Sequence, residues 1–353
     1  MTVGVPDLPL ATTLQLAQEA ESRGFSSVSL GESSFDTFAL CAAIGTQTSR
    51  IGICAGVATW SRPPVLTATA TASVDEITGG RFVLGLGTMP AAWSRDFYGI
   101  DPRRPLDRMA EYVEVVRGAL QAHSGRSFDY QGTVFQVRGY SRVHPPVRDQ
   151  VPIYLAATRP RMAALAATVA DGIFFNTIHT MDWLTDVVDA QVRAVEARTG
   201  RSVRRALLLR CSIDDDAERA VARVKRTLVS YLEIPYLHQI CAHRAIDIAP
   251  ARTALREGGP ARAAAAIPDD LVHEMALVGP PETCVAQLAR YAGLADWVLL
   301  APPTGLGADE QEMVSRAILT APWPHADLPR PAHLDTPSRA PEDPSGARDI
   351  HEG

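Results

Sequence analysis

Residues 81–90, RFVLGLGTMP, run an apolar segment into Gly85 and Gly87. Two glycines one residue apart after an apolar strand can open a dinucleotide-binding turn, where backbone N–H groups cradle a pyrophosphate. Such a turn also needs a third glycine, a helix that starts at once and an acid about 20 residues on. Here the third position is Pro90, and the stretch reads as the fourth strand, not the first. The dinucleotide reading fails, and two readings remain. Either the small residues let a flat ligand approach the end of the strand, or they relieve crowding inside a closed sheet.

Other residues have types suited to chemistry. Ala156, Ala157, Thr158 and Arg159 end an apolar run and open a helical one. Free N–H groups and the helix dipole suit such a turn to a phosphate, and Arg159 and Arg161 add charge. A solvated helix start is the plain alternative. Asn176 ends the next strand, and His179 just beyond it is the only histidine near a predicted strand C-terminus. An imidazole there suits proton exchange. Glu32 ends the second strand, where a buried carboxyl either works as an acid or holds substrate, or serves as a structural hydrogen-bond acceptor. Trp60, Met89 and Trp93 lie in strand-end loops and either wall an apolar pocket or simply pack.

Several motifs are absent. The cluster HQICAH (238–243) carries two metal-ligand histidines and Cys241, but its spacing fits no zinc pattern, so it reads as a helix surface with a buried cysteine and no metal site. There is no Gly-x-Ser-x-Gly elbow, and the single lysine, Lys225, sits in a helical pattern rather than a phosphate-binding loop.

These residues need elements to position them, and the chain alternates short apolar runs with longer amphipathic ones. Strands are expected at 3–5, 27–30, 51–56, 81–87, 152–156, 172–175, 205–211 and 297–300. Helices are expected at 10–23, 36–49, 63–78, 104–122, 159–170, 181–199, 214–232, 281–292 and 309–319. Residues 127–137 alternate around a glycine and read as an inserted hairpin. The stretch AAWSRDFYGID (91–101) reads as a loop, and 233–275 as helical and irregular. Eight strands separated by helices imply a parallel sheet, and at this length a closed (β/α)₈ TIM barrel of α/β class with active-site residues at the strand C-termini. The barrel is expected over 1–321, with insertions near 88–103, 124–150 and 233–275. From Pro322 the composition turns to Pro, Asp, Arg and Ser, which reads as a disordered tail over 322–353.

Composition narrows the partners. The chain has 353 residues, 46% hydrophobic and 21% charged, with a net charge of −6, and it lacks a basic stretch with interleaved aromatics. A small-molecule substrate fits better than nucleic acid. No apolar run reaches the roughly 20 residues that span a bilayer, and no secretory signal opens the chain. Cys41, Cys54, Cys211, Cys241 and Cys284 are scattered in apolar surroundings, which suggests buried free thiols in a reducing, cytoplasmic setting.

The order and spacing of several blocks carry a resemblance: RGFSSVSLGE (23–32), TSRIGICAGV (48–57), ITGGRFVLGLGT (77–88), FYGIDPRRPLDRMAEYVEVVRGAL (97–120), PIYLAATRPRMAALAATVADGI (152–173) and VGPPETCVAQLARY (278–291). From about residue 3 to 320 the chain resembles the luciferase-like monooxygenase and F420-dependent oxidoreductase superfamily. The resemblance implies a (β/α)₈ barrel that uses either the deazaflavin F420 for hydride transfer or reduced FMN and O₂ for monooxygenation. The block LVSYLEIPYLHQI (228–240), after SIDDDAERAVARVKR, resembles the deazaflavin branch, which includes methylene-tetrahydromethanopterin reductase and relatives in secondary metabolism.

F420-dependent hydride transfer with a small organic substrate is therefore the leading expectation. An FMNH₂-dependent monooxygenase is the alternative, and a non-catalytic flavin-binding barrel the second. By the resemblance, Gly56–Val57 forms a non-prolyl cis bulge under the cofactor ring. Thr88 and Asn176 contribute contacts, and Ala156, Ala157, Thr158 and Arg159 hold the phosphate. Glu32 and His179 are the candidate catalytic groups, and Trp60, Met89 and Trp93 the candidate substrate wall. Relatives are often dimers, which leaves a homodimer open. Two positions depart from the pattern. Ser33 stands where the family often has a histidine, and Pro90 where some deazaflavin enzymes carry an acid.

Overall fold

A computed structural model describes residues 1–324. Its strands are β1 (Thr2–Gly4), β2 (Ser27–Leu30), β3 (Gly52–Thr59), β4 (Phe82–Gly87), β5 (Phe128–Gln131), β6 (Gln136–Tyr140), β7 (Ile153–Ala157), β8 (Gly172–Phe175), β9 (Arg204–Ile213), β10 (Ala276–Gly279) and β11 (Trp297–Ala301). The helices are α1 (Leu10–Ser22), α2 (Thr37–Gln47), α3 (Pro64–Ile77), α4 (Ala91–Tyr98), α5 (Pro105–Gln121), α6 (Pro160–Val169) and α7 (Asp189–Thr199). They continue with α8 (Ala217–Val229), α9 (Pro235–His243), α10 (Ala249–Ala266), α11 (Asp269–Met275), α12 (Pro281–Leu288) and α13 (Ala308–Thr320).

Strands β1, β2, β3, β4, β7, β8, β9 and β11 pair in parallel and close on themselves, with β8 meeting β9 and β11 meeting β1. The molecule is the expected (β/α)₈ barrel. Local chemistry sets its helix starts. Asp36 caps α2 by accepting from the N–H groups of Phe38 and Ala39, and Asp216 caps α8 through Arg219 N–H. Prolines open α3, α5, α6, α9 and α12 in the first turn, where a missing N–H costs nothing. Gly99 and Gly200 end α4 and α7 in the left-handed conformation.

The barrel interior is layered. Cys54, Val83, Tyr154, Phe174, Ala206 and Trp297 form a buried cluster separate from the core between barrel and helices. The rings of Tyr154, Phe174 and Trp297 meet at centroid distances of 5.2–5.5 Å and plug the barrel. Gly172 belongs to this layer, because a Cβ there would run into the Tyr154 ring. Toward the strand C-termini the inward register carries small residues, among them Ser29, Gly56, Gly85, Gly87 and Ala156. Aromatic bulk thus closes the centre, and small residues leave the mouth open.

Several sequence expectations need correction. Residues 91–98 are a helix, α4, not a loop. Of its residues only Ser94 is buried, so no apolar stripe announces it. A ninth barrel-associated strand, β10, pairs with the C-terminal half of β9 from Ala276↔Arg210 to Gly279↔Ile213. Strand β3 runs to Thr59, three residues past the expected end at Gly56. The 233–275 segment is more regular than expected, although α10 breaks at Gly259 (φ 77°) before Pro260. The packed chain also passes Pro322, since Trp323 is buried and its indole donates to the Ile318 carbonyl at 2.7 Å. The rest of the expected tail, 325–353, lies outside the described residues. All five cysteines are unpaired and buried. No helix among the described residues is long and apolar enough to cross a membrane.

One buried ion pair fastens the inserted segment to the barrel. Arg148, just before β7, pairs with Asp75 of α3 at 2.7 Å, both side chains under 5% exposed, and it also donates to the Phe82 carbonyl at the start of β4. Burial pushes the Asp75 carboxyl up, against the pull of Arg148. Replacing one partner of such a pair strands the other charge. Asp75→Asn is expected to lower stability by about 3–5 kcal/mol in urea unfolding. A loss below about 1 kcal/mol would show that the pair does not hold the segment.

Candidate functional site

All eight barrel strands point their C-termini to one end, and the residues singled out from the sequence ring that end. At its centre, β3 bulges against β4, and the pairing register shifts between Ala55 and Ala58. The Gly56–Val57 peptide is cis. The bulge is packed closely from both sides. A Cβ on Gly56 would run into the Ser29 hydroxyl of β2. A Cβ on Gly85 would strike the Ala55 carbonyl, and one on Gly87 would come within 2.7 Å of the Val57 side chain. The paired glycines of β4 therefore make room for the bulge, and the Val57 side chain occupies the space they leave.

Glu32 ends β2 beside this bulge. Its backbone N–H donates to the Val57 carbonyl at 3.3 Å. Its carboxylate accepts from Thr59 N–H at 2.7 Å and the Thr59 hydroxyl at 2.8 Å, and meets Arg62 at 3.4 Å. Arg62 also pairs with Asp36. Burial opposes ionisation of Asp36, but the Ala39 N–H and the Arg62 guanidinium hold its carboxyl below the usual range. The side chain of Glu32 thus braces the end of β3 through Thr59. Ser33, in the position of the family histidine, is exposed.

The cofactor candidates on β4, β7 and β8 lie on the other flank of β3. Thr88 is exposed at the end of β4, and Ala156 and Thr158 are half-buried at the end of β7. Ala157 is buried, whereas Arg159 and Arg161 are exposed at the start of α6, whose N-terminus has no side-chain cap. Asn176 reaches across from β8 and donates to the Thr158 hydroxyl at 3.1 Å. This flank offers uncapped backbone donors and two guanidinium groups, a chemistry suited to an anion.

Other candidates are placed differently. His179 is only 1% exposed. Its Nδ1 bonds to the Asn176 carbonyl, its Nε2 has no partner, and its ring lies edge-on to Tyr291. Burial pushes its pKa down to about 4, which makes it a neutral, packed ring. Trp60 is buried under α4, where its indole donates to Ser94 at 3.3 Å and the Arg108 guanidinium covers its ring. Met89 is also buried, while Trp93 is 54% exposed on α4 and packs on Phe97. These three do not form one wall. His238 and Cys241 lie on α9, where His238 bonds to the Leu232 carbonyl and Cys241 is buried; among the described residues no three His, Cys, Asp or Glu converge as metal ligands.

A cavity of about 340 Å³ opens on the β1, β2, β9 and β11 side of the bulge. Gly31, Glu32, Ser33 and Gly56 line it, as do Phe35 and Arg210, which the sequence reading passed over. The signal was available, because Arg210 interrupts the apolar run ALLLRCSI at an inward position of β9. A larger hollow of about 650 Å³ lies outside the barrel between α5, β5 and α6, lined by Arg117, Phe128 and Arg201. It is remote from the strand C-termini, and size does not locate the chemistry here.

The packing of the bulge leads to one test. Gly56→Ala is expected to cost about 1–3 kcal/mol in chemical denaturation, the range for overpacking a tight site. Adding Ser29→Ala, which removes the clashing hydroxyl, should restore part of the loss; no restoration would place the strain elsewhere. His179 leads to a second. Its folded pKa lies below its unfolded value of 6.5, so its contribution is intact above pH 6.5. It is lost as pH falls toward 4, where only the unfolded chain takes up the proton. This amounts to roughly 3 kcal/mol across that window. His179→Gln should flatten the fall in thermal midpoint between pH 6.5 and 4, and an unchanged slope would contradict the buried neutral ring.

Comparison with known proteins fits this geometry. Residues 2–296 match the family model described as luciferase-like monooxygenase. The 5,10-methylenetetrahydromethanopterin reductase of Methanolobus tindarius is 27% identical over 303 residues, covering 82% of this chain and 90% of that protein. A putative coenzyme F420-dependent oxidoreductase of Mycobacterium tuberculosis is 27% identical over 314 residues, covering 81% and 90%. Among solved structures, the coenzyme F420-dependent tetrahydromethanopterin reductase from Methanopyrus kandleri superposes with a TM-score of 0.78 at 20% identity, over 91% of this chain and 97% of that one. The match over residues 2–296 shows that the chain belongs to the luciferase-like monooxygenase family.

Proposed function

We propose that this chain binds the deazaflavin F420 at the strand C-termini and moves a hydride between it and a small organic substrate. The observation that carries this reading is the β3 bulge, which presents Gly56 and Val57 at the centre of the mouth with an anion-suited flank on one side and a cavity on the other. Two relatives whose names include F420 or a methanopterin reductase support the deazaflavin. When bound, the deazaflavin supplies the carbon that gives or accepts hydride.

The chain's own part is positional. Gly56 and Val57 support the ring, with Ala156 beside Val57. Thr158 and Asn176, already joined by a hydrogen bond, present polar groups next to the α6 N-terminus. There Ala157 and Arg159 hold the cofactor phosphate, and Thr88 closes the rim. Glu32 holds the end of β3 in place and is the carboxylate nearest the bulge that faces the cavity. His179 is buried, so the proton that the substrate takes up with the hydride, or gives up in the reverse direction, is assigned to water in the cavity. In this reading His179 supports the Asn176 turn.

A second reading follows from the family, that of luciferase-like monooxygenases: an enzyme that uses reduced FMN and O₂, as the sequence resemblance implies. Turnover separates the two. The protein is incubated with reduced F420 and a panel of imines and activated alkenes, with the deazaflavin absorbance and dissolved oxygen followed together. Oxidation of F420 that depends on substrate, with no oxygen uptake, is the expected result. Oxygen uptake with reduced FMN, and none of that F420 oxidation, would replace this reading with the monooxygenase. Binding without turnover of either cofactor would point to a non-catalytic barrel.

A further inference from the structure

Arg210 is the one guanidinium that lines the mouth cavity. It lies at the inward register of β9, above Ala206 and Leu208. Its Nη1 donates to the Pro302 carbonyl at 2.8 Å, and its Nε is buried with no partner. No carboxylate among the described residues forms an ion pair with it. The two carboxylates that line the same cavity are occupied elsewhere: Glu32 by Thr59 and Arg62, and Asp7 by the Ser34 N–H and hydroxyl. Two residues on, in the same register, the Ser212 hydroxyl is also buried without a partner. Burial pushes the Arg210 pKa down, offset only in part by the nearby Tyr231 phenol.

A half-buried charge with no carboxylate partner is costly, and one held at a ligand cavity is offset when an anion arrives. A guanidinium suits a planar or tetrahedral oxyanion because its fork offers paired donors. Val5, Leu8, Phe35, Leu208 and Pro303 give the wall a large apolar share. Resting on the hydride-transfer reading above, we propose that Arg210 is the specificity residue of the substrate pocket, and that the substrate is an organic anion: an apolar body carrying one carboxylate or phosphate that pairs with this guanidinium. The apolar wall takes the body, and the bulge lies close enough for the body to stack on the cofactor ring.

The test is equilibrium binding by calorimetry on the full chain, with benzoate, phenyl phosphate and neutral benzamide as probes. Wild type is compared with Arg210→Met and Arg210→Lys, and F420 is titrated into the same samples. The expected result is that benzoate or phenyl phosphate binds wild type and benzamide does not. Arg210→Met should weaken the anion on the order of tenfold or more, and Arg210→Lys by less, since a charge remains without the fork. F420 affinity should stay unchanged in both variants. Preference for benzoate identifies a carboxylate substrate, and preference for phenyl phosphate a phosphate ester.

Equal binding of benzoate and benzamide, no anion binding to wild type, or anion binding untouched by either variant would overturn the proposal. A loss of F420 affinity in both variants with anion binding unchanged would also overturn it and assign Arg210 to the cofactor. Arg210-dependent anion binding in a protein that does not bind F420 would keep the anion pocket and remove the cofactor reading, so the two failures are distinguishable.

Discussion

The architecture of the mouth depends on one packing constraint, the close approach of the β3 bulge to both neighbouring strands. On the β2 side the Ser29 hydroxyl fills the space a Gly56 side chain would need; on the β4 side Gly85 and Gly87 yield to the Ala55 carbonyl and the Val57 side chain. Protein interiors have few voids, so a bulge of this kind is accommodated only where its neighbours are small. Glu32 then secures the far end of β3 through Thr59, and Arg62 connects that carboxylate to Asp36, the cap of α2. A backbone feature at the centre is thereby tied to the start of a surface helix.

The same constraint divides the mouth chemically. On one flank are α6, with its uncapped N-terminus and exposed Arg159 and Arg161, and the Asn176–Thr158 hydrogen bond. On the other is a cavity whose carboxylates are already engaged and whose guanidinium, bonded to the Pro302 carbonyl through Nη1, keeps an unpartnered Nε. Satisfied groups in a site mostly hold shape, while unsatisfied ones mark where a ligand's polar atoms can be received. By that distinction Glu32 is chiefly a brace, whereas His179 and Arg210 each keep an unpartnered nitrogen, and of the two only Arg210 lines the cavity.

The sequence was most legible where periodicity and strand-end residues coincide. The strand–helix alternation and its closure into a barrel could be read from apolar spacing, whereas the bulge at Gly56–Val57 followed only from the family resemblance that blocks such as TSRIGICAGV carry. The glycines of β4 were noticed at once, but what they make room for became visible only with Val57 in place. Helix α4 escaped because it buries no apolar stripe, and β10 because four residues between a helix and two prolines resemble a loop. Trp60, Met89 and Trp93 all fall in strand-end loops by sequence, but Trp60 and Met89 are buried while α4 carries Trp93 outward. Arg210 needed only the question of what a charge is doing on the inner face of a barrel strand.

The most direct test of the account is an equilibrium titration of the purified full chain with F420 and with FMN, followed by cofactor fluorescence. The account predicts saturable F420 binding that is clearly tighter than FMN binding. Binding of neither would contradict it, because the bulge and the α6 flank would then not form a flavin site at all. A clear preference for FMN would keep the site and contradict the hydride-transfer reading.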